Sequence, residues 1–103
     1  MTTRRLEFDA TMWRSSLEIY NSFNAALGMP QWWGHSVDAL LEALIWDVNT
    51  ARYPANIVII RNLANATPDV RDELVLLRRC VQEALAEWRQ DEGTDFPLRF
   101  DLM

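Results

Sequence analysis

A chain of 103 residues, half apolar and 24% charged, suffices for one folded domain, expected over residues 1–103, and is too short for two cores. Its net charge is −5 and all ten basic residues are arginine. Such a balance lacks the cationic surplus with which a nucleic-acid binder displaces phosphate counterions, which argues against DNA or RNA as the direct ligand and weakly favours a basic partner.

Taken in chain order, Arg5-Leu6-Glu7-Phe8-Asp9-Ala10 alternates polar and apolar residues and predicts a strand. Asp9 or Thr11 can cap a following helix, whose apolar stripe is Trp13, Leu17, Tyr20, Phe23 and Leu27. Gly28 and Pro30 stop it. A second helix begins near Gly34 or Ser36 and runs to about Val48, with Val37, Leu40, Leu41, Leu44 and Val48 inward. Asn49 to Pro54 reads as a loop. Asn56-Ile57-Val58-Ile59-Ile60 is a β-branched run of the kind buried on both faces in parallel sheets. Thr67 and Pro68 supply a cap and a first-turn proline for a long helix to about Gln90, with Val70, Leu74, Leu77, Val81, Leu85 and Trp88 inward. Gly93 and Pro97 break it, and Leu98, Phe100 and Leu102 alternate as a last strand. Strand, helices, strand, helix, strand requires crossovers, so the expected fold class is α/β: a three-stranded parallel sheet covered by helices.

Cys80 stands alone, so no intrachain disulfide forms, which fits a reducing compartment. No apolar segment follows the first five residues as in a signal peptide, and no run approaches the ~18 residues that span a bilayer. The expected location is the cytoplasm, without a membrane partner.

The residues with chemical interest are carboxylates. Asp38 and Glu42 lie four apart on the second helix, and Glu83 and Glu87 repeat that spacing on the third, with Asp91 continuing the row. Like charges at this spacing cost an isolated helix about 0.2–0.5 kcal/mol per pair. The helical wheel sets both pairs off the apolar stripes and places Trp46 one turn beyond Glu42, away from the core. An exposed Trp beside acids has the composition of an interface anchor. Spacing alone also suits an ordinary solvated helix face, with Arg79 placed to pair with Glu83.

Other chemistries find no support. A glycosidase-like acid pair needs a cleft and one carboxyl with a raised pKa. His35 is the sole histidine and has no Cys beside it, so neither a metal site nor a Ser-His-Asp triad is expected; it is a solvated loop residue or a rim contact. Cys80 has no activating base and reads as a structural thiol. Trp13, Trp33 and Trp88 read as core. Gly28, Gly34 and Gly93 form no phosphate loop, so no nucleotide, other cofactor or small-molecule substrate is expected, and the chain is not expected to be an enzyme.

The segment Met29-Pro30-Gln31-Trp32-Trp33-Gly34-His35-Ser36-Val37-Asp38-Ala39-Leu40-Leu41-Glu42 resembles the hallmark of the barstar family, bacterial intracellular inhibitors of barnase-type ribonucleases. That hallmark is an apolar residue, Pro, any residue, two aromatics, Gly, two polar residues, Leu, Asp-Ala-Leu and then an acid. Glu83-Ala84-Leu85-Ala86-Glu87 is similar to the family's Glu-Ala-x-Ala-Glu helix, and the order of elements matches along most of the chain.

The resemblance implies a barstar-like fold and an inhibitor, of antitoxin or immunity type, whose partner is a basic ribonuclease or related nuclease toxin. The matching acids are Asp38, Glu42, Glu83 and Glu87, which would enter the nuclease's positively charged active site. Trp32 matches a Tyr that packs against the enzyme. Leu41 stands where the family has Trp, Glu42 where it has Asp, and Ile45, Trp46 and Asp47 where it has Thr, Gly and Trp. His35 and Ser36 replace Glu and Asn. These departures, above all Leu41, Ile45, Trp46 and Asp47, are the positions expected to retune specificity, and Leu41, Ile45 and Trp46 are expected among the partner contacts. A barstar-fold interaction or regulatory module without a nuclease target is the alternative.

Overall fold

A computed structural model describes residues 3–30, 32–46 and 55–103. Strand β1 is Thr3–Asp9, helix α1 Ser16–Leu27, helix α2 Val37–Leu41, strand β2 Ala55–Arg61, helix α3 Pro68–Glu92 and strand β3 Leu98–Leu102. The sheet order is β1-β2-β3 with both pairings parallel, so helices make the crossovers, as expected.

Register explains the core. Leu6, Val58 and Phe100 align across the strands, as do Phe8, Ile60 and Leu102, and the helices pack on the face that these residues share. Helix α3 adds Val70, Leu74, Leu77, Val81 and Ala84, recurring at three- and four-residue spacing. Each of the Val and Leu side chains contributes about 1.5–3 kcal/mol on full burial. Leu85 and Trp88 are half-buried against this cluster, and Trp88 meets Phe96 edge-on at 4.9 Å.

Strand β2 carries buried residues on both faces, but unequally. Ile59 is only 6% exposed, yet it lies outside the helix-covered cluster, and Ile57 on the same face is half-buried. Around them stand Arg5, Glu7, Arg61, Arg99 and Asp101, whose aliphatic stems can shield isoleucines while the charged ends stay in water. Arg5 pairs with Glu7 at 2.7 Å, Arg61 with Glu7 at 3.3 Å, and Arg99 with Asp101 at 2.6 Å.

The Glu7 carboxyl is held below its ordinary value of 4.5, first by the hydrogen bond from Arg5 and then by that from Arg61. A pKa depressed in the folded state adds stability that is complete above 4.5 and is lost as pH falls through the folded value. Glu7→Gln should therefore give an acid unfolding curve that varies less steeply with pH than that of the unaltered chain, read by circular dichroism across the carboxylate range.

Helix α1 starts later than the apolar spacing suggests. The Asp9 carboxylate accepts from both the backbone N–H and the hydroxyl of Thr11, closing a 3-10 turn over Ala10–Met12 instead of capping an α-helix. Trp13 is buried beyond that turn, with its indole N–H donated to the Ser22 hydroxyl at 2.8 Å. The inward stripe becomes Ile19, Tyr20, Phe23 and Asn24, which leaves Leu17 on its flank in the first turn, 54% exposed and not in the core. Leu27 is half-buried at the far end. Tyr20 donates its hydroxyl to Glu73 on α3, and burial followed by this carboxylate pushes its pKa upward. Helix α1 ends on Gly28 at φ 70°, a left-handed conformation that costs glycine nothing.

Helix α3 begins as its sequence predicts, with the Thr67 hydroxyl accepting the Val70 N–H at 3.4 Å and Pro68 in the first turn. It runs two residues past Gln90 before Gly93 caps it. The predicted loop from Asn49 to Pro54, with Asp47 and Val48 before it, lies outside the described residues.

Candidate protein-binding surface

The segment between α1 and α2 is built by short-range hydrogen bonds. The Met29 N–H is donated to the Asn24 carbonyl at 2.9 Å, and the Trp33 N–H to Pro30 at 2.9 Å. Ser36 caps α2, its hydroxyl accepting from the Ala39 N–H at 3.2 Å. Trp32 projects from this segment at 80% exposure, its ring centroid 5.9 Å from that of Trp33. Trp33, expected in the core, is half-buried instead, because its indole N–H reaches the Ala39 carbonyl at 3.1 Å at the edge of α2.

Asp38 and Glu42 are both exposed, and the Glu42 N–H is donated to the Asp38 carbonyl, so the two acids stand one helical turn apart. From Glu42 to Trp46 the helix widens into a π turn. Ala43, Leu44 and Ile45 are all buried there. Ile45, an expected partner contact, is 3% exposed and belongs to the core; that expectation is corrected, because the inward arc of this turn takes in three consecutive residues. Leu41 is half-buried and packed against the core. The Trp46 side chain lies outside the described residues.

On α3, Glu83 and Glu87 are exposed, flanking the buried Val81 and Ala84. Helix α2 packs against α3. Among the described residues, no Lys or Arg nitrogen lies within 4 Å of any of these four carboxylates, and Arg79 does not bridge to Glu83. Other acids are engaged: Glu7 with two arginines, Asp9 with Thr11, Glu18 with the Arg14 N–H, Glu73 with Tyr20, and Asp95 with Arg89 at 3.5 Å.

An open cleft of about 470 Å³ is lined by Leu85, Ala86, Arg89, Gln90 and Asp95, and none of the four acids borders it. His35 is exposed, and among the described residues no group of three or more His, Cys, Asp or Glu gathers as metal ligands would. No described helix is long and apolar enough to cross a membrane. One polar residue of this region went unnoticed in the sequence: Asn24, which reaches the Gly34 carbonyl from α1. Its signal was available, since it falls four residues after Tyr20 on an apolar stripe.

A search of curated proteins found no match. The family model described as Barstar (barnase inhibitor) matches residues 3–101, from the first residue of β1 into β3. With the parallel sheet, its crossover helices and the Pro30-Gln31-Trp32-Trp33-Gly34 sequence before α2 all inside that match, the chain belongs to the barstar family.

Proposed function

We propose that this chain is a cytoplasmic inhibitor, of antitoxin or immunity type, that blocks the basic active site of a ribonuclease or related nuclease toxin. Asp38 and Glu42 on α2 and Glu83 and Glu87 on α3 would occupy the place of substrate phosphates, with Trp32 packing beside them. The observation that carries this reading is the placement of these four acids at the family's motif positions: they are exposed on two packed helices of a barstar-family chain, with no cation beside them among the described residues, a state that Asp69, Asp72, Asp91 and Glu92 on α3 share without lying in those motifs. Exposed carboxylates without internal partners are free to make charge-assisted hydrogen bonds to Arg and Lys of another protein. The acidic field also speeds encounter with a basic enzyme. The role needs neither cofactor nor turnover.

The test is RNA cleavage by a barnase-type ribonuclease, and by any nuclease that co-purifies with the chain from its native cell, titrated with the purified protein. Stoichiometric loss of cleavage is the expected result. Full activity of every such enzyme at excess inhibitor would overturn the proposal. It would favour a barstar-fold interaction module without a nuclease target, a reading that gains from the withdrawal of Ile45 into the core and the half-burial of Leu41.

A further inference from the structure

Among the described residues one polar side chain is buried in the core, Asn24 at 8% exposed. It sits beside Phe23 on the inward face of α1, where Leu would suit the stripe better, and burying an amide is unfavourable unless it is hydrogen-bonded. Its Nδ2 donates to the Gly34 carbonyl at 3.2 Å, while its backbone carbonyl accepts the Met29 N–H at 2.9 Å, a bond of the helix end that any residue at this position can make. The side chain thus ties Gly34 back to α1. From the other side, the Trp33 indole holds the Ala39 carbonyl at 3.1 Å. Gly34 approaches so closely that an added Cβ would lie 3.0 Å from the Ala39 Cβ. Beside these ties stands Trp32, exposed and without a hydrogen bond of its own among the described residues.

We propose that Asn24 is a positioning residue for the binding surface: with the Trp33 indole it clips Trp33 and Gly34 between α1 and α2, so that the adjoining Trp32 is presented in one conformation before the partner arrives. Ordering a loop in advance removes that cost from association. The benefit to binding rests on the inhibitor reading above, whereas the clip itself can be measured without a partner.

The test is Asn24→Leu, which keeps the branched shape and removes the amide. Its thermal midpoint is expected to stay within a few degrees of that of the unaltered chain, because the core gains an apolar side chain while the exposed Gly34 turns its carbonyl to water. Exchange of the Trp33 backbone and indole N–H groups should accelerate about tenfold, while amides from Leu74 to Val81 on α3 keep their protection. The complex with a barnase-type ribonuclease should dissociate about tenfold faster. Unchanged exchange at residue 33, or acceleration spread evenly into α3, would overturn the proposal, the second because it marks a merely structural role. If Asn24→Leu does not fold, Trp33→Phe opens the other half of the clip and is read at the residue-33 backbone N–H by the same two criteria. Inhibition by the unaltered chain is measured separately, so an error in the target is distinguishable from an error in the clip.

Discussion

Replacing Asp38 and Glu42 together with lysine will abolish nuclease inhibition and leave the fold in place. Both side chains are exposed, so neither substitution opens a cavity or buries a charge. Asp38 lies in the first turn of α2, where an acid complements the helix dipole, and reversing it costs the fold about 0.3–1 kcal/mol. Separating the like-charged pair returns nothing, since two lysines repel as two acids do. Binding responds differently. Each charge-assisted hydrogen bond is worth about 1.5–3 kcal/mol, and two lost bonds remove about 3–6 kcal/mol. Facing lysine towards a cationic pocket adds repulsion to that loss. At about 1.4 kcal/mol per factor of ten, the affinity should fall by about four orders of magnitude. Titrating ribonuclease activity with the variant, alongside its thermal midpoint, separates the two effects. Undiminished inhibition by the well-folded double variant would remove these acids from the binding surface.

The fold was legible wherever local chemistry acts over one turn or one strand. Thr67-Pro68 starts α3 and Gly28 ends α1 because a hydroxyl, a fixed φ and a missing Cβ act on immediate neighbours. Parallel pairing followed from element order, since neither connection is a tight hairpin. Less legible were features decided by competition. Asp9 could cap an α-helix or close a 3-10 turn, and the nearby Thr11 hydroxyl drew it to the second. That choice displaced the start of α1 and moved Leu17 out of the core. Side-chain spacing at α-helical period cannot register a π turn, and the family resemblance that makes Ile45 a contact position does not register the widened backbone that carries it inward. Of the candidate surface, Trp32 and the four acids are exposed as their pattern indicates. The hydrogen bond from Asn24 was not legible, because it spans ten residues and depends on where the segment after Gly28 folds back.

Phe23→Ala is expected to bring the chain close to unfolding at ambient temperature. The ring is fully buried on α1 and bridges the helix to both edge strands: its centroid lies 4.7 Å from that of Phe8 on β1 and 6.5 Å from that of Phe100 on β3, nearly parallel at 9°. Because β1 and β3 flank β2 without touching each other, a helix residue that packs on both locks the sheet across its width. Truncation leaves a cavity that neither strand can close without breaking its ladder, so the full cost of about 3–5 kcal/mol applies. Domains of this size hold about 5–15 kcal/mol in total, and each kcal/mol moves the midpoint about 4–8 °C. The melting temperature should therefore drop by about 15–30 °C, read by calorimetry. Leu17→Ala on the same helix is the control: exposed and outside the stripe, it should shift stability by less than about 0.5 kcal/mol. Equal effects at the two positions would mean that Phe23 does not hold the sheet to α1.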